Sequence, residues 1–307
     1  MSTYLIIGAG AMGTAVADQL ADQGHQVRVM TRRGTGPDRP SVDLIAGDAT
    51  DPSAVTAQAT GTEAIFNCAN PQYHRWPTDW PPMARAILTA AETAGSGLVT
   101  LSNLYAYGRP TGPMAPHDPL TADYEKAQVR ATMWLDAKRA HDEGRITATE
   151  VRASDFIGPN SQGFFNLRAI PRVLAGKGCQ VLGSPEMPHT WSYTVDVART
   201  LVTCAQRHES WGRAWHAVSN PPKTQREVID DIADVAGVSR VKVSTVPMIA
   251  LRALGLFNPL VRELPTTLYQ FTSPFVLDDS ETRATFGLEP TPWSDVLKST
   301  IASCELR

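Results

Sequence analysis

The chain has 307 residues, enough for one large α/β core and a smaller second lobe. An apolar share of 42% is that of an ordinary water-soluble protein, and a formal net charge of -3 without a long run of one sign gives no footing for nucleic acid or an anionic membrane. The chain opens on a strand rather than a secretory signal, holds no apolar stretch of membrane-spanning length, and scatters its cysteines (Cys68, Cys179, Cys204, Cys304) without a CxxC pair or a histidine at ligand spacing. The expectation is a cytoplasmic protein without a metal site, working as a monomer or homodimer on a small molecule.

Short apolar runs alternate with helical stretches through residue 155. Strands are predicted at 4–7, 27–30, 42–46, 64–67, 98–102 and 146–152. Helices are predicted at 14–23, 82–94 and 123–143, stopped by Gly24, Gly95 and Gly144. Strands separated by helices imply βαβ crossovers, hence a parallel sheet covered on both faces. Beyond Gly158-Pro159-Asn160 the pattern loosens. Strands follow at 180–182 and 214–218, then a helix at 225–236 with Thr224 as N-cap. The apolar segment 247–257 reads as a helix packed in the core of the second lobe. The expected fold is a Rossmann-type doubly wound parallel sheet with a smaller C-terminal α/β lobe. Residues 1–158 would form the dinucleotide domain and 159–307 mainly the substrate lobe, with a segment near 190–220 returning to the first domain.

Gly8-Ala9-Gly10-Ala11-Met12-Gly13 falls between the first strand and a helix of small residues. Gly8 allows the tight turn, Gly10 lets a pyrophosphate approach the backbone, and Gly13 lets helix and strand pack closely. The amides of Ala11, Met12 and Gly13 would face phosphate charge at the helix start. The plain alternative is a glycine turn that binds nothing. The second strand ends in Thr31-Arg32-Arg33, where an NAD enzyme usually has an acid for the ribose 2′-hydroxyl. A guanidinium there suits a 2′-phosphate, so NADP is expected and NAD less so, unless both arginines are merely solvated. Asp51-Pro52 is explained as an N-cap with proline at the first helical position, whereas Asp48 either reaches an adenine amino group or serves the turn.

Taken together, these motifs resemble the extended short-chain dehydrogenase/reductase superfamily, in its NAD-dependent epimerase/dehydratase branch. The resemblance spans nearly the whole chain. It is carried by the glycine loop, Gly47-Asp48, Asn67-Cys68-Ala69-Asn70, Tyr107-Gly108, and Arg152 through Gly158-Pro159. It continues through Trp191-Ser192-Tyr193-Thr194-Val195-Asp196-Val197-Ala198, and through Leu277-Asp278 to Phe286-Gly287-Leu288 and Pro290. It implies cofactor contacts from Ala69 and Asn70, and a lysine that holds the nicotinamide ribose and lowers a phenol pKa. Lys126 fits that lysine. Four residues earlier, where the family carries tyrosine, stands Ala122. Tyr124 is offset by two residues, which on a helix turns it to another face unless the helix starts late. The family serine or threonine position falls on Asn103, beside Ser102; asparagine can donate a hydrogen bond but cannot pass on a proton. Tyr105 stands where family dehydratases carry a carboxylate base, which makes it a candidate acid whose pKa a lysine could depress.

A stretch expected to be a loop after the fourth strand holds Tyr73, Trp76 and Trp80. With Asp155 these are the candidate substrate contacts, weighed against simple packing. His117 and His189 read as surface or packing residues, and Arg168 and Arg172 as solvated. The sequence therefore predicts an NADP(H)-dependent oxidoreductase of atypical type, with hydride transfer to or from a carbonyl, alcohol or imine. An epimerase or dehydratase that recycles bound cofactor is one alternative. The other is an inactive NADP(H)-sensing protein that lost the family tyrosine.

Overall fold

The computed structural model of the chain describes residues 1–305, apart from the side chains of Leu260 and Glu305. Strand β1 (Thr3–Ile7), a run of apolar residues buried on both faces, leads through the glycine turn into α1 (Ala11–Asp22). Strands β2 (Gln26–Thr31) and β3 (Val42–Ala46) follow, then α2 (Pro52–Ala59). The Asp51 carboxylate caps α2 by accepting from Ser53 N at 2.9 Å and Ala54 N at 3.3 Å. Next come β4 (Ala64–Asn67), α3 (Trp76–Ala94), β5 (Gly97–Asn103), α4 (Glu125–Asp142) and β6 (Ala148–Ala153).

After β6 the chain makes β7 (Asp155–Ile157), α5 (Ile170–Leu174), β8 (Cys179–Val181), β9 (Trp191–Tyr193), α6 (Thr194–Gln206) and β10 (Ala214–His216). Helix α7 (Gln225–Ala236) begins in a capping box between Thr224 and Glu227 and ends at Gly237, whose φ of 67° suits a residue without Cβ. The chain closes with β11 (Val243–Thr245), α8 (Met248–Gly255), α9 (Pro259–Thr267), α10 (Ser280–Phe286) and α11 (Trp293–Glu305).

Seven strands form one sheet in the order β10-β6-β5-β4-β1-β2-β3, all pairs parallel. The order reverses between β1 and β4, and ligands in such sheets bind beyond the carboxyl ends of the strands near that reversal. Two core layers cover the sheet. On one side Val16, Leu20, Val197 and Leu201 pack on Ile6, Phe66 and Val99; on the other Val55, Ile87, Ala90 and Ala137 pack on Leu5, Ile7 and Ile65. A separate core of Ile170, Val181, Trp191, Ile229 and Leu297 holds the small paired strands β7-β9 and β8-β11.

Two expectations need correction. The stretch after β4 is a loop only through Gln72: a single 3-10 turn at Tyr73–Arg75 runs directly into α3, which starts at Trp76 and carries Pro81 and Pro82 inside it. Nor is 247–257 a core helix. Leu251 is buried in a small cluster, but Ile249 of α8 and Leu256 and Phe257 just past it are 83%, 79% and 89% exposed, so much of the apolar surface of this segment looks outward.

Candidate active site

The glycine turn has the shape that its spacing implies. Gly8 sits at φ 96°, and a Cβ there would lie 2.9 Å from Ala69 Cα. A Cβ on Gly13 would fall 1.9 Å from the Gly8 carbonyl oxygen, so only hydrogen lets α1 approach β1. Gly10 differs from both: it is exposed at the N-cap of α1, and a Cβ would meet nothing within 4 Å. That open space, faced by the first free amides of a twelve-residue helix, fits a diphosphate. Ala69 and Asn70 follow β4 beside this turn. Arg32 and Arg33 lie exposed past β2, and Arg32 is near enough to help hold the Asp48 carboxyl below its usual range. The larger causes of that shift are the Thr50 amide and hydroxyl, which donate to Asp48 Oδ1 at 2.9 and 2.8 Å. Asp48 therefore already serves its turn.

The ends of β4, β5 and β6 bring most of the remaining candidates together. Asn103 ends β5, and its Oδ1 accepts from the Tyr105 amide at 3.1 Å, fixing the 3-10 turn Tyr105–Tyr107. The Tyr105 ring is enclosed by Tyr73 (centroids 6.5 Å), Trp76 (6.1 Å) and Tyr124 (6.3 Å). Trp80 is buried behind Trp76 at 6.4 Å, where the guanidinium of Arg130 covers it at 4.9 Å, so Trp80 is a wall of the core rather than of a cleft. Ser102 is also buried, in register with Arg152 of β6.

Burial raises the Tyr105 phenol well above 10, and the nearby Tyr73 hydroxyl and Asp155 carboxylate push the same way. The expected depression by lysine is thus reversed. The buried Lys126 ammonium is committed elsewhere: it donates to Glu263 of α9 and lies 4.8 Å over the face of Tyr73. Tyr124 is corrected too. Helix α4 begins at Glu125, leaving Tyr124 in extended backbone at its N-cap, so no helix face governs it. Its hydroxyl is 3.0 Å from that of Tyr269, and burial raises its pKa. Ala122, Tyr124, Tyr269, Gly108 and Arg109 line a cavity of about 400 Å³ where the family tyrosine would stand.

Three contributors had no role in the sequence reading. Glu263 meets Lys126 across 137 positions, and Thr267 of the same helix accepts from Tyr73 at 3.4 Å. His189 is not a surface histidine. It is 1% exposed, and its Nε2 lies 2.9 Å from Asp155 Oδ2. Arg168 and Arg172 are exposed, and Arg172 donates to Gly178 O at 2.7 Å; His117 is also exposed. Among the described residues no group of three or more His, Cys, Asp or Glu could hold a metal ion, and no helix is long and apolar enough to cross a membrane.

A parallel sheet that reverses order beside a glycine turn, with a lysine held at the strand ends, defines a nicotinamide-dependent α/β enzyme. The chain belongs to the NAD dependent epimerase/dehydratase family, whose model matches residues 4–216. No curated protein matches it in sequence. Among solved structures it is similar to UDP-glucose 4-epimerase of Thermotoga maritima with UDP-glucose (16% identity, TM-score 0.81, 99% of each chain). It is also similar to dTDP-glucose 4,6-dehydratase of Bacillus anthracis in complex with NAD (15%, TM-score 0.80, 100% of this chain and 97% of that one). A third is the Bordetella bronchiseptica enzyme WbmH in complex with NAD+ (18%, TM-score 0.76, 99% of each). At these identities the likeness shows the shared fold.

Proposed function

We propose that this enzyme is an atypical NADP(H)-dependent oxidoreductase acting on a carbonyl, alcohol or imine of a small organic molecule in the cytoplasm. The observation that carries the reading is the Lys126 ammonium, buried against the Tyr73 ring and the Glu263 carboxylate at the start of α4. Glu263 offsets the cost of burying that charge, and ribose hydroxyls would share the ammonium with it. When bound, the nicotinamide supplies or accepts the hydride. Gly8, Gly10, Ala11, Met12 and Gly13 would hold its diphosphate, Ala69 and Asn70 its central part, and Lys126 its ribose hydroxyls. Arg32 and Arg33 would take a 2′-phosphate, and Asp48 an adenine amino group. These assignments make 1–158 the cofactor domain and the later lobe the substrate side, with 190–220 shared between them.

Tyr105 is the proposed proton donor. Its raised pKa keeps it protonated, as an acid should be before the reaction. Asn103 would hold the substrate oxygen through its amide nitrogen, with Ser102 behind it. Tyr73, Trp76 and Asp155 would wall the substrate, with Trp80 backing Trp76 and Tyr124 in a supporting place. A second reading is an epimerase or dehydratase that recycles its cofactor; family membership favours it, as do neighbours solved with UDP-glucose and with NAD.

The test is calorimetric titration with NADPH and NADH, followed by NADPH oxidation over a panel of aldehydes, ketones, imines and sugar nucleotides. Tighter NADPH with turnover of a carbonyl or imine is expected. Sugar-nucleotide conversion without net cofactor change would replace the first reading by the second. Tight NADPH with a silent panel would favour a sensor.

A further inference from the structure

Two buried histidines make opposite demands for protons. His216 has one donor and one acceptor facing it. Its Nδ1 lies 2.9 Å from the Asp278 carbonyl, which can only accept, and its Nε2 lies 2.8 Å from the Tyr107 hydroxyl. That hydroxyl itself accepts from Arg152 Nη1 at 2.6 Å, so its own proton is free to point at His216. A neutral ring satisfies every group, and burial pulls the His216 pKa down to about 3.

His189 faces acceptors on both sides. Nδ1 lies 3.2 Å from the Gln270 carbonyl, and Nε2 lies 2.9 Å from Asp155 Oδ2, with the Ser154 hydroxyl farther off at 3.4 Å. The Asp155 carboxylate can only accept, so Nε2 is the donor of that contact. The ring also stacks on Phe271 (4.9 Å, 18°) and Phe275 (5.4 Å, 22°), which hold its plane. Its backbone is clamped by paired bonds with Lys223 (3.3 and 3.0 Å), so the ring cannot readily turn away. Asp155, by contrast, keeps 36% of its side chain exposed where the chain leaves β6, and the phenols of Tyr73, Tyr105 and Tyr269 all feel its charge.

We propose that Asp155 and His189 form a carboxylate–histidine dyad that is the second acid/base of this site, Asp155 exchanging a proton with Tyr105, whose phenol feels its charge, and His189 as its positioning residue. The proposal rests on the oxidoreductase reading and names the group with which Tyr105 exchanges its proton. In the oxidising direction the substrate hydroxyl gives its proton to the Tyr105 oxygen as the Tyr105 proton passes to Asp155 Oδ1. The O–H electron pair becomes the second bond of the new carbonyl, and the hydrogen on the same carbon leaves as hydride to an oxidised nicotinamide. His189 holds Oδ2 throughout. In the reducing direction each transfer runs backwards, so Tyr105 remains the donor to the substrate.

The histidine half is tested without substrate by nitrogen-15 NMR of the full chain labelled at histidine, with the signal assigned by its loss in His189→Gln. Nε2 of His189 should carry the proton that faces Asp155, and Asp155→Asn should shift the resonance of that nitrogen. A wild-type His189 without a proton on Nε2 overturns the dyad. The catalytic half uses the panel compound with the fastest wild-type turnover. Asp155→Asn should lower kcat about 100-fold or more, the scale of a lost acid/base, with NADPH affinity unchanged. Asp155→Glu should restore part of it, and His189→Gln should shift the pH profile of kcat. Unchanged kcat in Asp155→Asn sinks the proposal. A wild type silent on the whole panel removes the oxidoreductase reading and with it the catalytic half, while the NMR result still decides the His189–Asp155 hydrogen bond.

Discussion

The two ends of the site are built in different ways. The end proposed for the diphosphate is made by backbone within six consecutive residues, Gly8 to Gly13, and touches one other segment at Ala69. The chemical end is made by side chains from the β4, β5 and β6 ends, the start of α4, and the remote helix α9. A site made of backbone is conditioned by steric exclusion and leaves its trace in glycine spacing. A site made of converging side chains can exchange its members as long as the charges and volumes still meet.

The sharpest way to break the comparison is at Gly13. A Cβ there would meet the Gly8 carbonyl oxygen at 1.9 Å, so Gly13→Val should cost about 3 kcal/mol or more, beyond ordinary overpacking, and remove NADPH binding. Gly10→Val, with open space around it, should leave denaturant unfolding unchanged yet also abolish calorimetric binding. Native affinity in Gly10→Val would move the phosphate site elsewhere.

Next comes the acid. Tyr105→Phe should lower turnover about 100-fold with cofactor affinity unchanged, whereas Tyr124→Phe should be nearly silent. The reverse pattern would hand the proton to the phenol that faces Tyr269 and the cavity beside Ala122.

Arg32→Ala should weaken NADPH by about 1.5–3 kcal/mol and NADH little, the range for hydrogen bonds to charged groups. Equal losses for both cofactors would mean that Arg32 is a solvated bystander.

A pH-dependent effect concerns how the chemical end is held. Arg152, Tyr107 and His216 form a buried chain beneath the turn that carries Tyr105. The folded pKa of His216, about 3, lies below its usual 6.5, so the unfolded chain binds the extra proton first. Its contribution to stability is complete above 6.5 and is lost as pH falls toward 3. Through most of that window the slope is about 1.4 kcal/mol per pH unit. Urea midpoints measured from pH 7 to 4 should show this slope, and His216→Gln should flatten it.

Much of the scaffold was legible because its signals are local. Strands 42–46 and 64–67 and helix 225–236 coincide with β3, β4 and α7, where a short apolar run or a capping box sits within a few residues. The start of α3 was missed because Pro81-Pro82 reads as a break. The helix tolerates the pair near its first turns, after Trp76 and Pro77 have already set its direction. At the site, the glycine turn and Lys126 stood out by spacing. Glu263 did not, being one acid in a helix 137 positions away, nor did the pairing of His189 with Asp155 across 34 positions. Tyr124 was misjudged by a helix boundary one residue from where the argument needed it.

The outward apolar surface around α8 has a consequence for the order in which the molecule opens. Among the described residues, α8 and α9 meet the body through one small apolar cluster around Leu251, Leu182 and Leu268, and through Glu263–Lys126 and Tyr73–Thr267. Segments with few buried contacts open at the low end of the local free-energy range. In native-state hydrogen exchange the amides of 248–267 should therefore lose protection as a unit well before those of β1, β4 and β5. Because the helix that opens carries the carboxylate facing Lys126, each such event would uncover the lysine without unfolding the sheet that positions it.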